Sequence, residues 1–367
     1  MVDLEALKAL IEQEENFQDD GENEEENNCV RYDITSYGID FDVEGLVRRL
    51  KRRDIFVPEF QREYVWNISE ASRFIESLLL GLPVPGIFLA QEPETGKMLV
   101  IDGQQRLLSL KYFYDGEFKP QESSKTKRVF RLSNVLKKYY EKTYETLDSR
   151  DKINLDNAVI HATVVKQESP SEDDTSIYHI FERLNSGGRK LMPQEIRVAV
   201  YHGSLIDLAK ELNEIQVWRD IFGPKNDRMK DVELILRFFA MKEGFASYSK
   251  PMVDFINRFC ARNRNLSKDK LIYFRELFTQ TVTAFAQALP ERPFRLSRAL
   301  NVAIFESCMV GLAERLSSGE DIELNEIANI YDRLMSDGEF EDLVYQSTTD
   351  TKNLIRRFEI AIKYFQS

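Results

Sequence analysis

Asp102-Gly103-Gln104-Gln105-Arg106 sets a carboxylate, a glycine, two amides and a guanidinium in five consecutive residues. Before them, Met98-Leu99-Val100-Ile101 has the make-up of a short apolar strand. After them, Leu107, Leu110 and Tyr114 recur at helical spacing, with Leu108 widening the face. A strand that breaks at glycine into a helix aims the helix's first unpaired N–H groups at whatever lies over the turn. Those groups and the helix dipole favour an anion, and Arg106 would add a forked cation. Asp102 stands at the natural position for an N-cap or a metal contact, while Gln104 and Gln105 offer both donors and acceptors. The same five residues also suit a capped turn with surface glutamines. Taken alone, their chemistry ends at an unspecified anion.

The elements that would position this turn can be read in order. Cys29–Tyr37 alternates weakly as a strand, and Asp42 caps a helix through Arg53 with Val43, Leu46 and Leu50 inward. Arg48, Arg49, Lys51, Arg52 and Arg53 crowd its end, either as a solvated complement to the dipole or as a phosphate-contacting patch. Ile55-Phe56-Val57 is a short strand stopped by Pro58, and Asn67 or Ser69 caps a helix running to Leu80. Pro83-Val84-Pro85-Gly86 forces a rigid, extended lead-in to the strand Ile87–Ala90, which turns back into Met98–Ile101. Tyr114–Asp156 is charged and poorly periodic. Its clusters Lys125, Lys127, Arg128, Arg131 and Lys137-Lys138-Tyr139-Tyr140 suit nucleic acid or an exposed insertion. Ala158–Val165 reads as a strand and Ile177–Leu184 as a helix ending at Asn185-Ser186-Gly187-Gly188, either a glycine C-cap or an anion nest. Pro193 opens a further helix with Glu195, Ile196, Arg197 and Val200. From Tyr201 on the pattern is helical, near 204–213, 229–243, 249–262, 267–288, 295–316, 322–335 and 350–365.

Bulk properties narrow the classes. The chain of 367 residues, 43% hydrophobic, is long enough for two domains of ordinary size. Residues 1–28 hold eleven acids against Lys8, so they carry most of the net charge of −12 and leave 29–367 nearly neutral. Such a dense acidic run favours a flexible arm. Cys29, Cys260 and Cys308 are too far apart for a disulfide framework or a metal knuckle, and buried inert thiols are expected for the last two. No run approaches the roughly 20 apolar residues of a membrane span. No basic region followed by an apolar stretch opens the chain, so a cytoplasmic setting is the expectation. The expected organisation is α+β: an arm over 1–28, a mixed domain over 29–205 and an all-α domain over 206–367.

Four ordered stretches carry a resemblance: Val57-Pro-Glu-Phe-Gln-Arg-Glu-Tyr-Val-Trp66, Leu80-Gly-Leu-Pro-Val-Pro-Gly-Ile87, Val100-Ile-Asp-Gly-Gln-Gln-Arg106, and Ile180-Phe-Glu-Arg-Leu-Asn-Ser-Gly-Gly188 with Gln194-Glu-Ile-Arg197. About residues 30–205 resemble the domain found at the N-terminus of GmrSD-type restriction enzymes and SspE-type phage-defence proteins, itself similar to the ParB/sulfiredoxin fold. The resemblance implies nucleotide binding and hydrolysis at Asp102, Gly103, Gln104, Gln105 and Arg106, with GTP, ATP and CTP not distinguished. It also matches Gln61, Arg62, Asn185, Gly187, Gly188 and Arg197, in less defined binding roles. Asp102 would hold Mg²⁺ or orient water, Gln104 or Gln105 would position that water, and Arg62 would be a second phosphate contact. One departure stands out. Many relatives carry an HNH nuclease in the C-terminal half, whereas the last histidine here is His202, after His161 and His179. An HNH nuclease in this chain is therefore not expected. The competing readings are a DNA-binding module using the clusters at 48–53 and 125–138, and a regulatory or scaffold subunit that partners a separate nuclease.

Overall fold

The computed structural model describes residues 17–18, 33–57, 64–92, 95–118, 128–169, 175–184, 192–290, 293–295, 299–319, 322–345 and 347–367. Two compact units result: Arg31–Leu191, a mixed α/β region, and Met192–Ser367 with Met1–Val30, an all-helical region apart from a two-residue strand pair. The division falls between Leu191 and Met192, so Pro193–Val200 joins the helical unit rather than the mixed domain expected through 205.

The mixed unit runs β1 (Asp33–Asp42), α1 (Val43–Arg52), β2 (Ile55–Phe56), α2 (Ile68–Leu79), β3 (Ile87–Gln91), β4 (Met98–Asp102) and α3 (Gln104–Asp115). It continues with β5 (Glu117–Phe118), β6 (Arg128–Val129), α4 (Ser149–Asp156), β7 (Val159–Ser169) and α5 (Thr175–Leu184). Five strands form one mixed sheet in the order β1-β7-β3-β4-β2, with β7 parallel to β3 and antiparallel to β1. Strand alternation then sorts the side chains. Ile160, Ala162, Val164, Leu89 and Val100 meet Leu46, Leu50, Phe74, Ile75, Leu110, Phe113 and Leu155 of α1–α4 in one core. The opposite face carries α5, which lies against β7 and β4.

Local signals account for most boundaries. Asp42 accepts from Gly45 N at 2.6 Å, as an N-cap should. Asn67, rather than Ser69, starts α2 in a capping box: its side chain takes the N–H groups of Ser69 and Glu70, and Glu70 takes the N–H of Asn67. Asn67→Ala is expected to cost about 1 kcal/mol, read as a lower urea midpoint. The weakly periodic segment after Tyr114 is no mere insertion. Phe130, Leu132, Tyr139 and Leu147 enter the core, and Lys138 bonds Asp151 at 2.7 Å. Lys125 and Lys127 lie outside the described residues.

The helical unit holds α6 (Pro193–Val200), α7 (Ser204–Leu212), α8 (Gln216–Phe222), α9 (Lys230–Gly244), α10 (Met252–Arg262), α11 (Lys268–Ala288), α12 (Val302–Ser317), α13 (Leu324–Met335), α14 (Gly338–Tyr345) and α15 (Thr351–Gln366). α12 is buried on every side from Val302 to Ala313 and is packed by α9, α11 and α15. It begins later than the 295–316 helix expected, because Asn301 caps it by accepting from Ile304 N at 3.0 Å. Phe17–Gln18 pairs in parallel with Leu300–Asn301. The rest of 1–28, and Cys29, lie outside the described residues. Cys260 and Cys308 are buried, and burial pushes the Cys260 thiol up to about 12. Among the described residues, no helix is long and apolar enough to cross a membrane.

Candidate functional site

The turn between β4 and α3 is built by close packing. Leu99, Val100 and Ile101 are buried and Asp102 emerges at the strand end. The register pairs Leu89 with Val100 but Phe88 with Asp102, an irregularity that re-aims β4 just before the turn. Gly103 follows with φ +100°, a region that L side chains rarely adopt. A Cβ there would stand 2.4 Å from Ile87 Cγ2. Glycine is therefore demanded twice, by backbone and by space.

Gly103, not Asp102, is the N-cap of α3. The first internal bond is Leu107 N to Gly103 O at 3.0 Å, no side chain caps the helix, and its first turn holds no acid. The dipole's positive end is thus left without a side-chain carboxylate against it.

Asp102 instead pairs with Arg106, whose Nη2 donates to Oδ2 at 2.8 Å. The other fork of Arg106, Nη1, donates to the carbonyls of Pro85 at 2.8 Å and Gly86 at 2.7 Å. Arg106 is 13% exposed and Asp102 49%. The expected phosphate fork is consequently a clamp that ties the Pro83–Gly86 lead-in to the helix start. Gln105 is also engaged, its Oε1 accepting from Val65 N at 3.1 Å and Trp66 N at 3.3 Å. Beneath it Ser109 donates to the Gln105 carbonyl and bonds the Tyr64 hydroxyl, both at 2.6 Å. Burial pushes the Tyr64 hydroxyl well above its ordinary range. Gln104 differs: its side-chain oxygen is buried and meets no donor among the described residues.

Asp102, Gly103, Gln104, Gln105 and Arg106 are thus brought together with Pro85, Gly86 and Ile87. Gln61, Arg62, Asn185, Gly187 and Gly188 lie outside the described residues. Arg197 falls in the other unit, fully buried. Its Nε donates to Asn257 Oδ1 at 2.8 Å, its Nη1 bonds Gln194 Oε1, and Glu233 lies 3.5 Å away.

The basic end of α1 is partly neutralised. Lys51 pairs with Asp115 at 2.8 Å, and Arg49 lies over the Phe41 ring.

One pair on the sheet escaped sequence reasoning. His161 on β7 and Asp40 on β1 are register partners, with Nδ1 and Oδ1 2.8 Å apart and both side chains exposed. The alternation of inward Ile160, Ala162 and Val164 was the available signal that His161 points away from the core.

The model of the GmrSD restriction endonuclease N-terminal domain matches residues 43–202. An uncharacterized protein of Methanocaldococcus jannaschii is 23% identical over 301 residues, covering 58% of this chain and 50% of that relative. The chain therefore spans about half the length of the curated relative it matches. No solved structure matches it. The matched span runs through β3, the Asp102–Arg106 turn and α6, so residues 43–202 are the part of the chain that the GmrSD restriction endonuclease N-terminal domain describes.

Proposed function

We propose that the chain is a nucleotide-binding, NTP-hydrolysing component of a restriction or defence system, acting at the Asp102–Arg106 turn. The family match supports the setting. The observation that carries the chemistry is a helix N-terminus with neither side-chain cap nor first-turn acid, packed immediately behind Gly103. Such a terminus accepts a phosphate without displacing a carboxylate. The unsatisfied oxygen of Gln104 suits a donor that arrives with the substrate: a water or a ribose hydroxyl. Asp102 fits Mg²⁺, since one carboxylate oxygen is on Arg106 and the other makes no bond among the described residues. Mg²⁺ commonly takes one or two carboxylates beside waters and substrate phosphates, and would neutralise phosphate charge there. Arg106 contributes by holding Asp102 and the Gly86 carbonyl in place. A ParB/sulfiredoxin-like reading of the mixed unit belongs to the same proposal.

Thermal shift with GTP, ATP or CTP, with and without Mg²⁺, tests binding. A ligand at a hundred times its Kd adds about 2.7 kcal/mol of apparent stability. Asp102→Asn and Arg106→Ala are expected to lower hydrolysis by about 10²-fold. A wild-type chain that neither shifts with any NTP nor hydrolyses one would overturn the reading. A nuclease subunit as partner is part of the same proposal. DNA cleavage by the chain alone would remove that part.

A further inference from the structure

Two consecutive residues of α3 hold two different segments. Arg106 donates to the carbonyls of Pro85 and Gly86, on the stretch that leaves α2 for β3. Gln105 accepts from the N–H groups of Val65 and Trp66, on the stretch that enters α2. Tyr64 adds to this second grip. Its hydroxyl bonds Ser109, one turn along α3 from Gln105, and its ring packs edge-on against Tyr112 and Phe118. Trp66 adds an edge contact to Phe74 of α2. The first turn of α3 is thus tied by its own side chains to both ends of a helix that packs beside it.

The residue type matters here. Val65 and Trp66 lie outside any strand, so their N–H groups need an acceptor from elsewhere. One amide oxygen with two lone pairs serves both. Glutamate would accept these bonds more strongly and would complement the dipole in the first turn. It would also set an anion against the helix N-terminus. Glutamine makes the same two bonds and adds no charge, so the first turn of α3 keeps its freedom from acids. That neutrality suits a terminus that receives phosphate.

We propose that Gln105 is a positioning residue for nucleotide binding: it holds the first turn of α3 against Val65 and Trp66, so that the N–H groups opening the helix are aimed before the phosphates arrive. The inference rests on the NTP reading above. Donors fixed in advance need no reorganisation when charge arrives, and preorganised sites draw their strength from that. Gln105 acts through those N–H groups and not on the attacking water. Loss of the grip therefore weakens binding first, as a rise in KM rather than a fall in kcat.

Steady-state NTP hydrolysis by the full chain tests this, with thermal shift by a non-hydrolysable NTP analogue and amide hydrogen exchange. Gln105→Met fills similar space without the acceptor. It should raise KM and the analogue Kd by about 10-fold, with kcat falling less. The Val65 and Trp66 amides should then exchange about 3–10-fold faster. Gln104→Met, which removes neither bond, should leave their exchange at wild-type rates. Gln105→Glu keeps the acceptor, and with it the fold and the slow exchange, but its charge should raise KM. Faster exchange in Gln105→Met at wild-type KM and kcat would make the grip purely structural and overturn the proposal, with the NTP reading intact. A fall in kcat at wild-type KM would put Gln105 on the attacking water and overturn it as well. So would unchanged exchange in that variant. A wild type inert toward every NTP would overturn both.

Discussion

Gly103→Ala should destabilise the mixed unit by about 2–5 kcal/mol. A non-glycine residue in the left-handed region costs about 1–2 kcal/mol. Forcing an extra carbon into a filled site adds about 1–3 kcal/mol. Both apply, because φ is +100° and the new Cβ would meet Ile87 Cγ2 at 2.4 Å and Ile87 Cα at 3.4 Å. Ile87 is itself fully buried at the start of β3, so the displacement has no solvent side on which to relax. The effect is best read by hydrogen exchange, since one global unfolding energy is poorly defined for a chain of two units. Amides of β3 and α3 should lose protection while those of α12 keep theirs. Ile87→Ala in the same chain removes the steric part and leaves the backbone part. The double variant should therefore be less destabilised than the sum of the two single ones. Simple additivity would show that the contact does not matter.

The elements that frame this turn were readable because their signals are local. Asp42 and Asn67 announce helix starts through capping, and the alternation of Ile160, Ala162 and Val164 announces a half-buried strand. The short helices α8 and α14, of seven and eight residues, were not expected. Each is too brief to show a helical period, and tertiary packing rather than propensity holds such segments. The turn's composition was legible, but not how its side chains are spent. Arg106 could be recognised as a fork, yet not that Pro85, Gly86 and Asp102 occupy it. Pro85 and Gly86 lead into β3, whereas Asp102 ends β4. The His161–Asp40 pair was invisible for the same reason, being 121 residues apart in sequence and joined only by strand register.

Arg197 shows the converse. Its motif pointed to a ligand, whereas its partners are core residues of the helical unit. Arg197 and Arg237 both approach Glu233, at 3.5 and 3.7 Å. Arg237 Nε bonds Glu306 Oε1, and Arg357 Nη2 lies 3.7 Å from Glu306 Oε2. One buried chain of charges therefore links α6, α9, α12 and α15. Glu306 is its pivot, 0% exposed between two arginines that are themselves 4% and 1% exposed. Neutralising a pivot of this kind takes a buried anion away from two buried cations, a loss of about 3–5 kcal/mol. Glu306→Gln should show that loss. Arg357 also bonds the Ser307 hydroxyl at 2.9 Å and the Thr348 carbonyl at 2.9 Å, and Arg237 also approaches Glu233. Replacing the pair together, as Arg237→Met with Glu306→Leu, removes a cation and an anion at once and should recover much of the loss. Trp218, fully buried in the same unit, reports the transition in a Trp66→Phe background, since the chain has only these two tryptophans. A Glu306→Gln chain that unfolds at the wild-type denaturant midpoint would show that the arginines reach solvent or other acceptors. The charges would then be a passive feature of the core rather than the tie that holds α12 against α9 and α15.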